Sequence, residues 1–346
     1  MPRCIDWRDD AVLLLDQTVL PHQERWLRID TVDGLVDAIA RLAVRGAPAL
    51  GVAGAFGVAL AAREVGRAGP AGAVEAAARR VAEARPTAVN LSWGVDRALA
   101  RLGAGAEAVL AEARAVLAEE VSRCRAVGER GADLLLDLLA TRPGSAGDDP
   151  GERLRILTHC NTGWLACVEW GTALGVVRVL HERGRLARVY ADETRPLLQG
   201  ARLTGYELAG MGVDYRIVVD SAGPTVLANR MVDAVLVGAD RVAANGDVVN
   251  KIGTYPLALA AGRAGVPFVV AAPESTVDAG TATGADVPIE DRDPAEVLSF
   301  AGTATAPDGA GAYNPAFDVT PADLVTAIVT DLRVIRPAPA ATGVAP

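Results

Sequence analysis

Apolar residues recur with two different spacings along this chain, and the change falls near residue 150. Residues 11–30 alternate around turn signals (Val12 to Leu15, Leu20-Pro21, Trp26 to Ile29), which predicts a small antiparallel β unit. Val32, Leu35, Val36, Ile39, Leu42 and Ala43 then follow helical spacing, with Asp30 or Thr31 as the cap. Arg45-Gly46-Ala47-Pro48 ends that helix, and Pro48 suits the first position of the next. Gly51, Gly54 and Gly57 recur inside that second helix, a pattern that lets a neighbouring helix approach closely. Two further helical stretches flank Arg85 to Leu91, which reads as a polar loop, and residues 104–140 read as a long helix with a solvated face.

Thr141 to Pro150, rich in Gly, Pro and Asp, reads as a linker. Beyond it apolar runs at Leu154–Leu157, Ala187–Tyr190, Tyr215–Val219, Ala234–Val237 and Pro267–Ala271 predict strands separated by helices. Such alternation implies right-handed crossovers and a parallel sheet with helices on both faces. The expected class is α/β. A mainly helical domain with a small β unit spans 1–140, a linker 141–150 and a parallel-sheet domain 151–336, and a disordered tail spans 337–346. Residues 301–312 read as loop.

Charge and composition narrow the partners. A net charge of −9 and a pI near 5.0 disfavour nucleic acid or an anionic membrane, so any phosphate site must be local. The first ten residues have no signal-peptide layout. The longest uncharged apolar run, Ala47 to Ala62, falls short of the ~20 residues of a membrane span. Four cysteines without paired spacing and three scattered histidines give no zinc set and no disulfide framework, so neither metal nor cofactor is expected. A cytoplasmic protein with reduced thiols fits these features, and neither a Walker A pattern nor a G-x-S-x-G elbow is present.

Candidate chemistry gathers where the expected strands end, at Cys160, Asp192, Asp220 and Asp240. Open α/β sheets place their ligands at that edge. Thr158 to Gly163 should end a strand and open a helix, whose N–H groups would face an anion and favour a thiolate at Cys160. An isolated cysteine is more often structural, but the strand-end position and polar neighbours favour chemistry here. Cys167, expected in the following helix, is taken as structural. His159, which should face away from its neighbour, is left out of the chemistry. Asp192-Glu193 with Arg195 is expected to brace a loop, whereas Gln199, entering a helix, suits a substrate hydrogen bond. Arg45 with the amides of Gly46 and Ala47 offers a loop-to-helix anion site, and Arg85 is a second cation. Asp240, Asn250 and Lys251, on either side of an Asn245-Gly246-Asp247 turn, supply a carboxylate, an amide and an ammonium for a small anionic substrate. A helix cap or an ion pair with Lys251 is an equal alternative for Asp240.

Taken together, these motifs resemble the methylthioribose-1-phosphate isomerases, whose kin include ribose-1,5-bisphosphate isomerases and the regulatory subunits of initiation factor 2B. The resemblance runs from about residue 10 to 336. It rests on Arg45-Gly-Ala-Pro-Ala49, Arg85-Pro-Thr-Ala-Val-Asn-Leu91, Thr158-His-Cys-Asn-Thr-Gly163, Ala191 to Gly200, Gly238-Ala-Asp-Arg241, Asn250-Lys-Ile-Gly-Thr-Tyr255 and Asn314 to Pro321. It implies a helical N-terminal domain with a small β unit, a Rossmann-like C-terminal domain, a cleft between them and a homodimer. The implied reaction is aldose–ketose isomerisation of a sugar 1-phosphate in methionine salvage and biosynthesis, with 5-methylthioribose 1-phosphate as substrate. Asp240 is then the proton donor and Cys160 the transition-state stabiliser, while Arg45, Gly46, Ala47, Arg85, Gln199, Asn250 and Lys251 match substrate contacts. Trp164, where the family usually has a small residue, and changes near Cys167, Thr204 and Asp220 bear on the C5 substituent. Another 5-substituted sugar such as 5-deoxyribose 1-phosphate is the alternative substrate. A non-catalytic regulatory subunit is the alternative of another class.

Overall fold

A computed structural model describes residues 3–66, 69–70, 72–85, 88–141, 153–300 and 302–337. The linker expected at 141–150, apart from Thr141, and the tail beyond Pro337 lie outside the described residues. The chain divides into two compact units, one of residues 1–126 with 162–175 and the other of 127–161 with 176–346.

In the first unit β2 (Ala11–Leu15) and β3 (Trp26–Ile29) form the antiparallel pair expected over residues 11–30, and β1 (Ile5–Arg8), ahead of that stretch, adds a third strand beside β2. Helices α1 (Val32–Ala40), α2 (Ala47–Val65), α3 (Ala73–Glu83) and α4 (Val89–Leu99) follow, then α5 (Ala106–Ala140) begins. Thr31 caps α1, its Oγ1 accepting the Gly34 N–H at 3.2 Å. Pro48 takes the second position of α2. At 19 residues α2 is long and apolar enough to cross a membrane, more than the expected run. It is buried from Pro48 to Ala62, as the central helix of this unit. Helix α4 crosses it at small residues: a Cβ on Gly94 would lie 1.9 Å from the Gly51 carbonyl oxygen. The polar loop expected at Arg85–Leu91 is helix from Val89 onward. Val89 opens α4, because Asn90, Leu91, Val95 and Ala98 form its buried stripe.

Residues 163–172 also depart from expectation. No helix opens after Cys160; the segment runs through turns, and α6 (Ala173–Glu182) starts only at Ala173. Its carbonyls are taken by tertiary partners instead of a helical ladder. The Cys4 N–H bonds Val168 O at 2.9 Å, the Ala49 N–H bonds Ala166 O at 3.1 Å, and Gln17 Nε2 bonds Leu165 O at 2.7 Å. Val168 and Gly171 adopt positive φ, which a helix forbids.

The second unit is built on a seven-stranded sheet. Its strands are β4 (Leu154–Thr158), β5 (Leu186–Asp192), β6 (Tyr215–Val218), β7 (Ala234–Val237), β10 (Phe268–Ala271), β15 (Ala327–Val329) and β16 (Val334–Ile335). The spatial order is β16-β15-β10-β7-β4-β5-β6, parallel throughout except for the edge strand β16. The order reverses between β4 and β7, where open α/β sheets form a crevice at their carboxyl ends. Helices α6, α7 (Gly205–Met211), α8 (Gly223–Ala228) and α9 (Thr254–Ala264) lie between the strands in sequence. Leu157, Val235, Val237, Phe268, Val270 and Ile328 join Leu257 and Ala261 of α9 in one buried cluster. A second, small sheet has the order β11 (Val277–Asp278), β8 (Arg241–Ala243), β9 (Val248–Lys251), β14 (Phe317–Thr320). Its β8–β9 hairpin turns at Asn245–Gly246, as read, but Asn250 and Lys251 are strand residues held against β14. A short ribbon of β12 (Ser299–Phe300) and β13 (Thr303–Ala304) interrupts the loop expected at 301–312.

Candidate active site

In the second unit Cys160 and Asp240 leave neighbouring strands at the reversal point. Leu157 of β4 lies opposite Val235 of β7, so Cys160 emerges three residues past one partner and Asp240 five past the other. Cys160 is buried, with φ of 62°. Its N–H donates to Thr194 Oγ1 at 2.9 Å, and its carbonyl accepts from Thr204 Oγ1 at 2.7 Å. These bonds hold a left-handed turn that a non-glycine residue rarely adopts. This thiol is therefore set by strand and turn and not by the helix N-terminus expected after it, since α6 starts only at Ala173. Asp240 is exposed, and its N–H bonds Val249 O at 3.0 Å, tying it to β9.

Gln199 is buried at 6% exposure, and its Oε1 accepts no hydrogen bond from the protein. A buried acceptor left in that state costs free energy unless a ligand donates to it. Asn250 is buried and donates to Thr254 Oγ1 at 3.0 Å. Lys251 Nζ donates to Ala316 O at 2.8 Å and lies 4.6 Å from the Phe317 ring centroid.

Asp192, expected with Glu193 and Arg195 to brace a loop, pairs with His159 instead. Asp192 Oδ2 meets His159 Nδ1 at 2.9 Å. Asp220 accepts the N–H groups of Thr194 and Arg195, both at 2.7 Å. Arg195 itself reaches the carbonyls of Pro196, Glu296 and Val297. Burial pushes the Asp192 carboxyl up, with His159 opposing. Burial opposes the His159 imidazolium, but Asp192 and Asp220 outweigh it and raise its pKa. His159, Asp192 and Asp220 are, among the described residues, the one cluster with ligand atoms close enough for a metal ion. Asp192 Oδ2 and both Asp220 oxygens are engaged in the bonds above, whereas Asp192 Oδ1 is buried and accepts no hydrogen bond from the protein.

In the first unit Arg45, Gly46 and Ala47 precede or open α2, and all are half-buried. Gly46 has φ of 92°, and a Cβ there would lie 2.6 Å from Ala166 Cβ. That approach aims the first amides of α2. Arg85 is half-buried, and its carbonyl accepts the Ala88 N–H at 3.0 Å. Cys167 lies in a turn, packed with Cys124, Ala166 and Trp170. Its hydrogen bond to Cys124, together with burial, pushes the Cys124 thiol up. Trp164 is also buried.

Residues 43–337 match the model of the Initiation factor 2 subunit family. The chain belongs to that family. It is 52% identical over 344 residues to a methylthioribose-1-phosphate isomerase of Anaeromyxobacter sp. (strain K), covering 99% of this chain and 96% of that protein. A Nocardia farcinica protein named as a probable bifunctional methylthioribose-1-phosphate isomerase/methylthioribulose-1-phosphate dehydratase is 55% identical. The match covers 96% of this chain but only 59% of that protein. A 5-deoxyribose 1-phosphate isomerase of Moorella thermoacetica is 48% identical, over 96% of this chain and 94% of that protein. Among solved structures, the Pyrococcus horikoshii 5-methylthioribose 1-phosphate isomerase superposes with a TM-score of 0.87 at 39% identity, covering 97% and 93% of the two chains. The A. fulgidus translation initiation factor eIF-2B subunit delta superposes at 0.84 and 44%, covering 97% and 96%.

Proposed function

We propose that this protein is an aldose–ketose isomerase that converts 5-methylthioribose 1-phosphate to 5-methylthioribulose 1-phosphate, a step of methionine salvage. The observation that carries the reading is the emergence of Cys160 and Asp240 from β4 and β7, in a chain half identical to isomerases along its whole length.

The chemistry suits these groups. Phosphate on the anomeric oxygen keeps the sugar from opening to a free aldehyde. Ring opening then calls for an acid at the ring oxygen, after which hydrogen moves from C2 to C1. In this proposal Asp240 gives the proton to the ring oxygen, and its carboxylate takes back the proton that the C2 hydroxyl loses as the ketone forms. Cys160 answers the charge that develops, from a backbone fixed on both sides by Thr194 and Thr204. Gln199 Oε1 takes a sugar O–H. Arg45, Arg85, Lys251, Asn250 and the amides of Gly46 and Ala47 hold the phosphate and remaining hydroxyls. Side chains supply the acid and the cations, so the reading needs no metal and no cofactor. We further take the protein as a cytoplasmic homodimer with a Rossmann-like catalytic domain; sedimentation of the purified chain as a monomer would remove the dimer.

The test is turnover on a panel of 5-substituted ribose 1-phosphates, following ketose formation by NMR. Conversion of the 5-methylthio sugar at the highest kcat/KM is expected. Preference for 5-deoxyribose 1-phosphate would favour the second substrate, which the Moorella relative supports. Binding without conversion of any member would make the chain a regulatory subunit, as the name of the A. fulgidus structure has it.

A further inference from the structure

The strand-end residue that pairs with nothing in the proposed reaction is His159, buried at 1% exposure between two catalytic segments of the second unit. Its Nε2 lies 2.8 Å from the carbonyl oxygen of Ile252. A carbonyl only accepts, so Nε2 carries a hydrogen. Its Nδ1 lies 2.9 Å from Asp192 Oδ2. That bond also holds one hydrogen, either on an imidazolium facing a carboxylate or on a carboxyl facing a neutral ring. In both forms the pair carries no net charge, which is the form a buried ionisable pair can tolerate.

What the ring joins is more telling. On one side His159 immediately precedes Cys160. On the other, Ile252 follows Asn250 and Lys251 and leads into α9. Gly253 has φ of 105°, and a Cβ there would sit 2.7 Å from His159 Cε1, so only glycine lets the turn close on the ring. Asp318 of β14 clamps the same turn from its far side, its Oδ2 accepting the Gly253 N–H at 2.8 Å and the Tyr255 N–H at 3.1 Å. Asp318 stands opposite Asn250 in the β9–β14 ladder. The groups facing the imidazole are thus Asp192 at the end of β5, Asp220 in the turn after β6 and Asp318 from β14.

We infer that His159 is a positioning residue: through its buried bonds to Asp192 and Ile252 it locks the Cys160 strand end to the turn that carries Asn250 and Lys251. The inference rests on the isomerase reading for its catalytic consequence, but the lock itself is testable without it. A lost bond on either side frees one segment relative to the other. Misplacement of about 1 Å costs on the order of 10²-fold in rate.

Three variants of the full chain test this: His159→Gln, Asp192→Ala and Asp192→Asn. His159→Gln and Asp192→Ala should lower kcat by about 10²-fold with little change in KM, in protein whose folded fraction equals that of wild type. Asp192→Asn can still bond Nδ1, so it should restore at least tenfold of the rate lost in Asp192→Ala. Two readouts are independent of turnover. The rate of Cys160 alkylation by iodoacetamide should change in His159→Gln, and the His159 ring in wild type should keep an Nε2–H signal across pH 6–9 by nitrogen NMR. If wild type turns over no sugar phosphate yet the alkylation rate responds, the isomerase reading fails and the lock stands. Wild-type kcat and wild-type alkylation in folded His159→Gln, or losses that only follow the folded fraction, overturn the lock.

Discussion

Replacing Gln199 with Met should make the protein more stable and less active at once. The side chains are close in length and volume, so packing is nearly conserved. What disappears is a buried oxygen that accepts no hydrogen bond from the protein. Such an orphan costs about 1–3 kcal/mol in the folded state, and Met removes that penalty. Discounting for the 6% of the residue that reaches solvent, a gain of roughly 1–2 kcal/mol in unfolding free energy is expected. Binding has the opposite sign. With Met in place, a substrate hydroxyl that donated to Oε1 is buried without an acceptor, which costs about 1–3 kcal/mol, or roughly 5- to 150-fold in kcat/KM. Urea unfolding at constant m-value gives the first quantity and initial rates of ketose 1-phosphate formation give the second. A Met variant that is less stable, with activity falling only in proportion, would refute the reasoning, because Gln199 would then be a packing residue. Wild-type kcat/KM in a stabilised variant would place the substrate hydroxyl elsewhere.

Asp240→Asn should fold and bind substrate while losing roughly 10²–10⁴-fold in turnover, since an amide donates a hydrogen bond but gives up no proton; near-normal turnover would end its role as the acid. Cys160→Ser should cripple turnover in folded protein, whereas Cys167→Ser should show mainly as a lower melting temperature, because Cys167 sits in the packed cluster with Cys124. Equal catalytic losses would contradict the assignment of the thiol. Arg45→Lys and Arg85→Lys keep charge but lose the planar fork, so KM should rise in each; unchanged values in both would move the phosphate elsewhere. Asp16 predicts a pH effect. Burial alone would raise its carboxyl, but Thr18, Arg25 and Arg41 outweigh that and hold it well below the usual carboxylate range. A lowered folded-state pKa contributes stability above the unfolded value near ~3.9 and loses it as pH falls below that. Asp16→Asn should therefore cost about 2–3 kcal/mol at pH 7, a deficit that shrinks below about pH 4. A deficit independent of pH would show that the carboxylate charge contributes nothing.

Periodicity alone determined the elements of this protein wherever local spacing and burial agree. Strands β4, β5, β7 and β10 are short, largely apolar runs bounded by turns, β6 is a more polar run of the same length, and α1 carries a helical stripe with its cap, so each was legible in isolation. Gly51, Gly54 and Gly57 announced a close helix approach, and the structure sets the first two against α4 and the third against Val81 of α3; Gly94, the partner glycine on α4, was not read from the sequence. Strand ends likewise marked Cys160 and Asp240, since an alternating α/β chain must present those positions at one edge of its sheet. Tertiary structure decided the rest, for one recurring reason: partners distant in sequence took over backbone and side-chain bonds that local pattern had assigned elsewhere. Residues 163–172 have no helix because the carbonyls of Leu165, Ala166 and Val168 bond Gln17, Ala49 and Cys4. Asn250 and Lys251 are strand residues because β14, some 65 residues later, pairs with them. His159 was set aside because neighbours on a strand face apart. The fold brings Asp192 and Ile252 to its two ring nitrogens, and no spacing in the sequence records that meeting.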